Sequence, residues 1–205
     1  MDLLLVRHAQ PRRIGTEESS GTAADPELTE AGRLQAQRLA AWLAPERIDL
    51  VVSSPLRRAV ETAQAVADAH GLKVEVVDQL REYDADSSEY IPMEELRETK
   101  DDRWQAMVEG RWEDYGGEPP DVFRARIVPC IDGIIDAHPG QQVVASCHGG
   151  VINVFTAALL GLPHHLWFDP AYTSITRIRA ARNGVRSLAS LNETGHLLGN
   201  REVAP

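Results

Sequence analysis

The sequence predicts an α/β fold in three layers, α/β/α, around a mainly parallel central sheet. Short apolar runs recur along the chain, helical patterns separate them, and several runs end directly in charged or histidine residues. Strands that alternate with helices favour a parallel sheet, because a crossover between parallel strands needs an intervening helix. A chain of 205 residues is long enough for one domain with a substantial core, so we expect 1–205 to form a single domain.

The apolar runs predict four parallel strands and a later hairpin. The four strands are 3–6, 48–52, 72–77 and 143–145. Near the C-terminus, two further runs flank Asn183-Gly184, a dipeptide that favours a two-residue hairpin turn. We therefore expect one antiparallel hairpin strand to be added to the sheet at its C-terminal side.

Three helices follow from capping residues and from apolar residues spaced three and four apart. Thr29 is a plausible N-cap for a helix that runs to Leu43. A second helix opens at Pro55 or Leu56 and runs towards Gly71, and a third follows Gly150 as far as Leu160.

The segment 83–121 departs from this alternation of strand and helix. It contains thirteen acidic residues against Arg97, Lys100, Arg103 and Arg111, a net charge of −9. We interpret it as an insertion, helical in part over 93–108, that caps the active site. The alternative is a solvated acidic face with tryptophans in the core, and both interpretations stay open here.

Composition excludes several classes of protein. The net charge of −10 argues against a partner such as duplex nucleic acid, whose binding depends on neutralising phosphates. No window approaches eighteen apolar residues, so no membrane association is expected. The residues after Met1 show no basic n-region or cleavage site, so a cytoplasmic location is expected. Cys130 and Cys147 cannot form a disulfide framework or a zinc site on their own, which predicts reduced thiols.

Residues suited to phosphate chemistry follow the predicted strands. In an open α/β sheet, ligands bind beyond the carboxyl ends of the strands. A phosphate monoester needs guanidinium groups for its oxygens, a nucleophile in line, and an acid for the leaving oxygen. Each residue alone has a simpler structural explanation, but together they indicate one reaction: Arg7-His8, Arg57-Arg58, Glu82 and His148.

Three motifs resemble those of the histidine phosphatase superfamily, also called the phosphoglycerate mutase-like family. The opening motif is Leu4-Leu5-Val6-Arg7-His8-Ala9-Gln10, the second is Ser53-Ser54-Pro55-Leu56-Arg57-Arg58-Ala59, and the late one is Cys147-His148-Gly149-Gly150-Val151-Ile152. With lesser matches, the similarity extends in order from residue 3 to residue 197 and so covers nearly the whole chain.

The resemblance implies a phosphohistidine mechanism without metal or other cofactor. His8 would attack phosphorus as a neutral imidazole, and Glu82 would act first as acid and then as base. Arg7 and Arg58 would hold the phosphoryl oxygens, with His148 adding charge stabilisation as a cation. The family pattern places its arginine directly before alanine, which selects Arg58 over Arg57.

Other residues are weaker candidates for substrate contact. Gln10 and Arg12 follow the nucleophile closely, although Arg12 can also be a solvated loop charge, and Ser174 sits where the family often places a small polar residue. The leaving group of a small phosphorylated metabolite could stack on Trp104, with Trp112 and Tyr115 as alternatives. A homodimer is common among relatives, and no apolar stripe here identifies an interface.

Three functions remain open at this point: a phosphomonoester hydrolase, a phosphoglycerate mutase, and an inactive member that only binds. Ala9, Gln10-Pro11 and Ile14 depart from the residues typical of mutases after the nucleophile, and so does Glu82-Tyr83-Asp84. The acidic insertion would also repel the second phosphate of a mutase intermediate. These departures favour the hydrolase.

Overall fold

The computed structural model describes residues 1–19 and 21–198, so the predicted bounds 1–205 include residue 20 and 199–205, which lie outside the described residues. Its strands are β1 (Asp2–Arg7), β2 (Leu50–Ser53), β3 (Val74–Val76), β4 (Gln142–Cys147), β5 (Ile175–Ala180) and β6 (Arg186–Glu193). They form one sheet in the order β3-β2-β4-β1-β5-β6. Strand β5 alone runs in the direction opposite to the other five strands, which confirms the mainly parallel sheet with one antiparallel hairpin strand.

The predicted helices are present with the expected ends. The helices are α1 (Glu30–Leu43), α2 (Arg57–His70), α3 (Met93–Thr99), α4 (Asp102–Val108), α5 (Pro120–Ala137) and α6 (Gly149–Leu160). Thr29 caps α1, since its hydroxyl oxygen accepts a hydrogen bond from the Gly32 amide at 2.9 Å. Gly71 and Gly161 end α2 and α6 in the left-handed conformation that glycine adopts without strain.

The two faces of the sheet pack on different helix pairs, which gives the three predicted layers. On β1, Leu3 and Leu5 belong to the core that includes residues of α5 and α6. Leu4 and Val6 point the other way, into a core that includes residues of α1 and α2. Successive side chains on a strand alternate between faces, so a continuous apolar run is buried on both sides.

The region after β3 contains one helix that was not predicted from the sequence. Helix α5 buries Phe123, Ile127, Ile131 and Ile135 at a spacing of four, although Pro129 lies inside it. The predicted helical stretch 93–108 is two helices, because Lys100 ends α3 with a φ of 55°. No helix among the described residues is long and apolar enough to cross a lipid bilayer.

The N-terminal turn of α1 lies directly against the loop that follows β1. A Cβ atom added at Gly32 would stand 2.1 Å from the carbonyl oxygen of Gln10. Backbone cannot yield as a flexible side chain can, so glycine is required at this contact. Helix α1 therefore sets the path of the chain just beyond His8.

We predict that Gly32→Ala lowers the free energy of unfolding by about 1–3 kcal/mol through overpacking. Gly133→Ala is the matched control, because Gly133 is also helical and nothing lies within 4 Å of its added Cβ. The control should raise stability by about 0.5–1 kcal/mol, since alanine restricts the unfolded chain more than glycine does. Urea unfolding of both variants measures the difference; equal effects would contradict this account of the contact.

Candidate active site

The central pair of parallel strands brings two histidines together. In β1 and β4, Arg7 is in register with Cys147, so His8 and His148 follow neighbouring strand ends. The His8 amide donates to the Cys147 carbonyl at 2.9 Å. As a result, the two imidazole rings lie with their centroids 5.2 Å apart.

The surroundings of His8 select one tautomer and one charge state. Its Nδ1 lies 2.8 Å from the Ala9 carbonyl oxygen, which can only accept, so Nδ1 carries the proton. Burial, reinforced by Arg58 and Arg7, holds the pKa of His8 well below its usual value. His8 is therefore a neutral imidazole at pH 7, with the lone pair on Nε2 available to attack an electrophile.

Arg7 and Arg58 bring buried guanidinium groups to the site, and their donors are only partly used: Nη1 of Arg7 donates to the Pro170 carbonyl and lies 3.9 Å from an Asp169 oxygen. Arg58 is 2% exposed and lies 4.6 Å from the centre of the Tyr90 ring, and Arg7 lies 4.1 Å from that of Tyr172. The Nε atoms of both arginines are buried without a hydrogen-bond partner among the described residues. Such groups are costly to bury alone and are suited to an anion with several acceptor oxygens.

The neighbouring Arg57 differs from Arg58 in its exposure and in its ion pairs. Its side chain is half exposed, and it pairs with Glu27 at 2.6 Å and Glu61 at 2.7 Å. Adjacent helical residues point about 100° apart, so only one of the pair can face the interior. The structure places Arg58 there, in agreement with the choice made from the sequence motif.

His148 is fully buried beside His8, with its two ring nitrogens in different surroundings. Its Nε2 lies 2.7 Å from the Ser54 hydroxyl, whereas its Nδ1 has no partner among the described residues. Burial, Arg58, His8 and Arg7 lower its pKa well below the usual value. The chain's own charges therefore favour neutral His148, and the predicted cation would require the opposite charge of a phosphate dianion.

Glu82 follows the 3₁₀ turn Asp78–Leu80 and points towards the start of α6. Its Oε2 accepts from the Gly150 amide at 2.8 Å, and a Cβ at Gly150 would stand 2.3 Å from Oε1, so a side chain there would displace the carboxyl. Burial and the neighbouring Asp84 raise the pKa of Glu82 to about 7. This carboxyl can therefore both donate and accept a proton near neutral pH.

A cavity of about 310 Å³ joins most of these groups. The predicted residues on its wall are Arg7, His8, Arg58, Glu82 and Trp104. Trp112 is instead 2% exposed and stacks 4.3 Å from Tyr83 within the core. Trp112 and Tyr115 line a separate cleft, so among the three aromatic candidates only Trp104 is on the wall beside His8.

Three predicted substrate contacts are absent from the described wall. The Gln10 side-chain oxygen accepts from the Thr29 hydroxyl at 3.3 Å, and Arg12 lies 3.6 Å from Glu27. Ser174 is fully buried, and its backbone carbonyl accepts from the Arg7 amide at 3.2 Å. Gln10 and Arg12 are paired within the scaffold, whereas the Ser174 hydroxyl is buried without a hydrogen-bond partner among the described residues. None of the three lines the described cavity.

Several wall residues were not identified from the sequence. Asp84 lies two residues after Glu82, Tyr90 lies over Arg58, and Asp169 lies 3.9 Å from Arg7. The loop that carries Asp169 also contributes the wall residues Leu166, Trp167, Phe168 and Pro170. The aromatic pair at 167–168 was a visible signal, but a short loop has no periodicity that would orient it.

Comparison with known proteins gives the same family over nearly the whole chain. The family model described as histidine phosphatase superfamily (branch 1) matches residues 3–194. The chain is 33% identical over 173 residues to the glucosyl-3-phosphoglycerate phosphatase of Mycolicibacterium vanbaalenii, covering 80% of this chain and 76% of the relative. It is 31% identical over 201 residues to phosphoserine phosphatase 1 of Hydrogenobacter thermophilus, covering 95% and 93%.

A solved structure agrees with these relatives. The mycobacterial glucosyl-3-phosphoglycerate phosphatase superposes with a TM-score of 0.73 at 27% identity, covering 94% of this chain and 99% of the other. The resemblance read from the motifs and its phosphatase branch are thus confirmed. Arg7, His8, Arg58 and Glu82 line one cavity, and the family model matches nearly the whole chain, so the chain belongs to the histidine phosphatase superfamily.

Proposed function

We propose that the protein is a phosphomonoester hydrolase that needs no metal and forms a phosphohistidine at His8 Nε2. One observation carries the proposal: a neutral imidazole with a free Nε2 lies beside two buried guanidinium groups with unpaired N–H donors. The substrate is a small phosphorylated metabolite. The phosphatases among the relatives support this assignment.

In the first step, the Nε2 lone pair of His8 attacks phosphorus while Arg7, Arg58 and His148 stabilise the phosphoryl oxygens. The bond from phosphorus to the ester oxygen breaks, and Glu82 gives its proton to that oxygen, so a neutral alcohol leaves. The bond from Nδ1–H to the Ala9 carbonyl keeps the ring oriented as charge develops on it.

In the second step, the Glu82 carboxylate takes a proton from water, and the water oxygen attacks phosphorus. The N–P bond breaks, inorganic phosphate leaves, and His8 returns to the neutral form. A pKa of about 7 suits Glu82 to both roles, because neither its acid nor its base form is costly at neutral pH.

The charges around the cavity favour the hydrolase over the mutase. Arg7 and Arg58 face Glu82, Asp84 and Asp169 on the described wall. A mutase must retain a second phosphate, which these carboxyls would repel. The complete set of candidate catalytic groups likewise favours an active enzyme over an inactive binding member.

The same proposal covers the domain bounds and the role of the segment 83–121. We treat 1–205 as one histidine phosphatase domain in which 83–121 caps the cavity, since Trp104, Met107 and Val108 contribute to the wall. The free thiols Cys130 and Cys147 support a cytoplasmic location. The proposal includes no nucleic-acid or membrane partner and leaves a homodimer open.

The first prediction concerns the nucleophile. His8→Ala should reduce release of inorganic phosphate from p-nitrophenyl phosphate by about 10⁴-fold or more, as removal of a catalytic nucleophile does. The assay contains EDTA, and isomerisation of 3-phosphoglycerate is followed in parallel. Full activity in the variant, or isomerisation by the native enzyme without phosphate release, would refute the proposed hydrolase.

The second prediction separates the two roles of Glu82. p-Nitrophenolate needs no proton to leave, so Glu82→Gln should still form the phosphohistidine quickly. Hydrolysis of that intermediate lacks its base, so rapid mixing should show a burst of one p-nitrophenolate per site followed by slow turnover. Turnover of an alkyl phosphate should fall by about 10²–10⁴-fold because its leaving oxygen must be protonated. Equal losses for both substrates without a burst would contradict the acid-then-base role.

The third prediction concerns pH. Glu82 must be protonated to release the alcohol of an alkyl phosphate in the first step, so kcat/KM for that substrate should fall as the pH rises through about 7. Asp84→Asn removes a neighbouring negative charge, which lowers the pKa of Glu82 and shifts this fall to lower pH. Asp86→Asn is the control, because the Asp86 side chain is 81% exposed, and its profile should match the native one. An unshifted profile in Asp84→Asn would refute the coupling.

A further inference from the structure

We infer that the substrate of this enzyme is the phosphate ester of an apolar alcohol or phenol that carries no second anionic group. The inference rests on the proposed function and concerns the part of the cavity beyond the phosphate. Three observations carry it: the apolar side chains of the wall, the internal pairing of the polar groups around the loop after α6, and the sign of the charges on the wall.

The wall beyond Arg7 and His8 is built from apolar side chains on two sides. The cap contributes Met93, Trp104, Met107 and Val108, and the loop after α6 contributes Leu166 and Phe168. An alcohol carried by the phosphate therefore lies between these two surfaces. Transfer of apolar groups from water into such a space is favourable in proportion to their area.

The polar groups of the loop are already paired within the protein. Asn153 donates to the carbonyls of Gly149 and Phe168 at 3.0 Å, and its oxygen accepts from the amides of Trp167 and Phe168. The Trp167 indole donates to the Thr156 hydroxyl at 3.2 Å. These groups are not available to the hydroxyls of a sugar, and a hydroxyl buried without partners is costly.

The charges of the wall disfavour a second anion. Both lining cations, Arg7 and Arg58, lie at the phosphate position, whereas Asp84 lines the cavity with a buried Oδ1 that has no partner among the described residues. Arg97 of α3 is already paired with Asp169 at 3.1 Å. A carboxylate on the leaving group would therefore meet Asp84 and Asp169 without a free counter-charge.

A series of n-alkyl phosphates tests the inference with the intact enzyme. Ethyl, butyl and hexyl phosphate have leaving groups of nearly equal acidity, so chain length changes contact area and not chemistry. We expect kcat/KM to rise about fourfold per methylene. Hexyl phosphate should exceed 3-phosphoglycerate and phosphoserine by at least tenfold.

A matched pair of variants localises the effect. Val108 is 54% exposed at the end of α4 and lines the cavity, so Val108→Lys should fold, lose most of the dependence on chain length, and gain activity on 3-phosphoglycerate. Val122 is also helical and 52% exposed but is outside this wall, so Val122→Lys should leave the series unchanged. Equal behaviour of the two variants would count against the inference.

Other outcomes overturn the inference without touching the proposed hydrolase. One such outcome is that the enzyme hydrolyses ethyl phosphate, that His8→Ala abolishes this activity, and that kcat/KM does not change with chain length. This outcome supports the proposed hydrolase and refutes the apolar leaving group. Preference for phosphocholine over its neutral isostere 3,3-dimethylbutyl phosphate would assign the site to a cationic alcohol instead. No turnover of any ester in the series would refute both proposals.

Discussion

The site depends on two buried guanidinium groups that lie beside two imidazoles and keep N–H donors without a partner among the described residues. Arg7 and Arg58 lie against the rings of Tyr172 and Tyr90, which shield them without neutralising them. Their charge, added to burial, keeps His8 and His148 neutral. A phosphate dianion would supply acceptors for the guanidinium donors that have no partner among the described residues.

The sheet makes this arrangement possible. Parallel pairing of β1 with β4 places both histidines at one edge, and the Ala9 amide donates to the Thr62 hydroxyl, which in turn donates to the Arg58 carbonyl. The loop that follows His8 is thus bonded to the helix that carries Arg58. The same fold buries Glu82 against the first turn of α6, where burial keeps its carboxyl protonated to about pH 7.

Much of the sheet and the central site could be predicted from the sequence, because buried strands are continuous apolar runs and parallel strands end at a common edge. The choice of Arg58 over Arg57 came from the family motif, and burial on α2 explains it. The rest of the cavity wall, beyond Arg7, His8, Arg58, Glu82 and Trp104, could not be predicted. Helix α5, the break at Lys100 and the loop around Phe168 depend on tertiary contacts, and Gln10 is a polar residue that bonds within the scaffold.

The proposed chemistry depends most directly on the tautomer and the charge of the His8 ring. Nitrogen-15 NMR of the free enzyme at pH 7 measures the protonation of the two ring nitrogens of His8. The His8→Ala variant assigns the signal. We predict a neutral ring protonated on Nδ1 with an unprotonated Nε2, because the Ala9 carbonyl accepts from Nδ1 and the arginines oppose a second proton. An imidazolium at pH 7, or a neutral ring protonated on Nε2, would contradict the account.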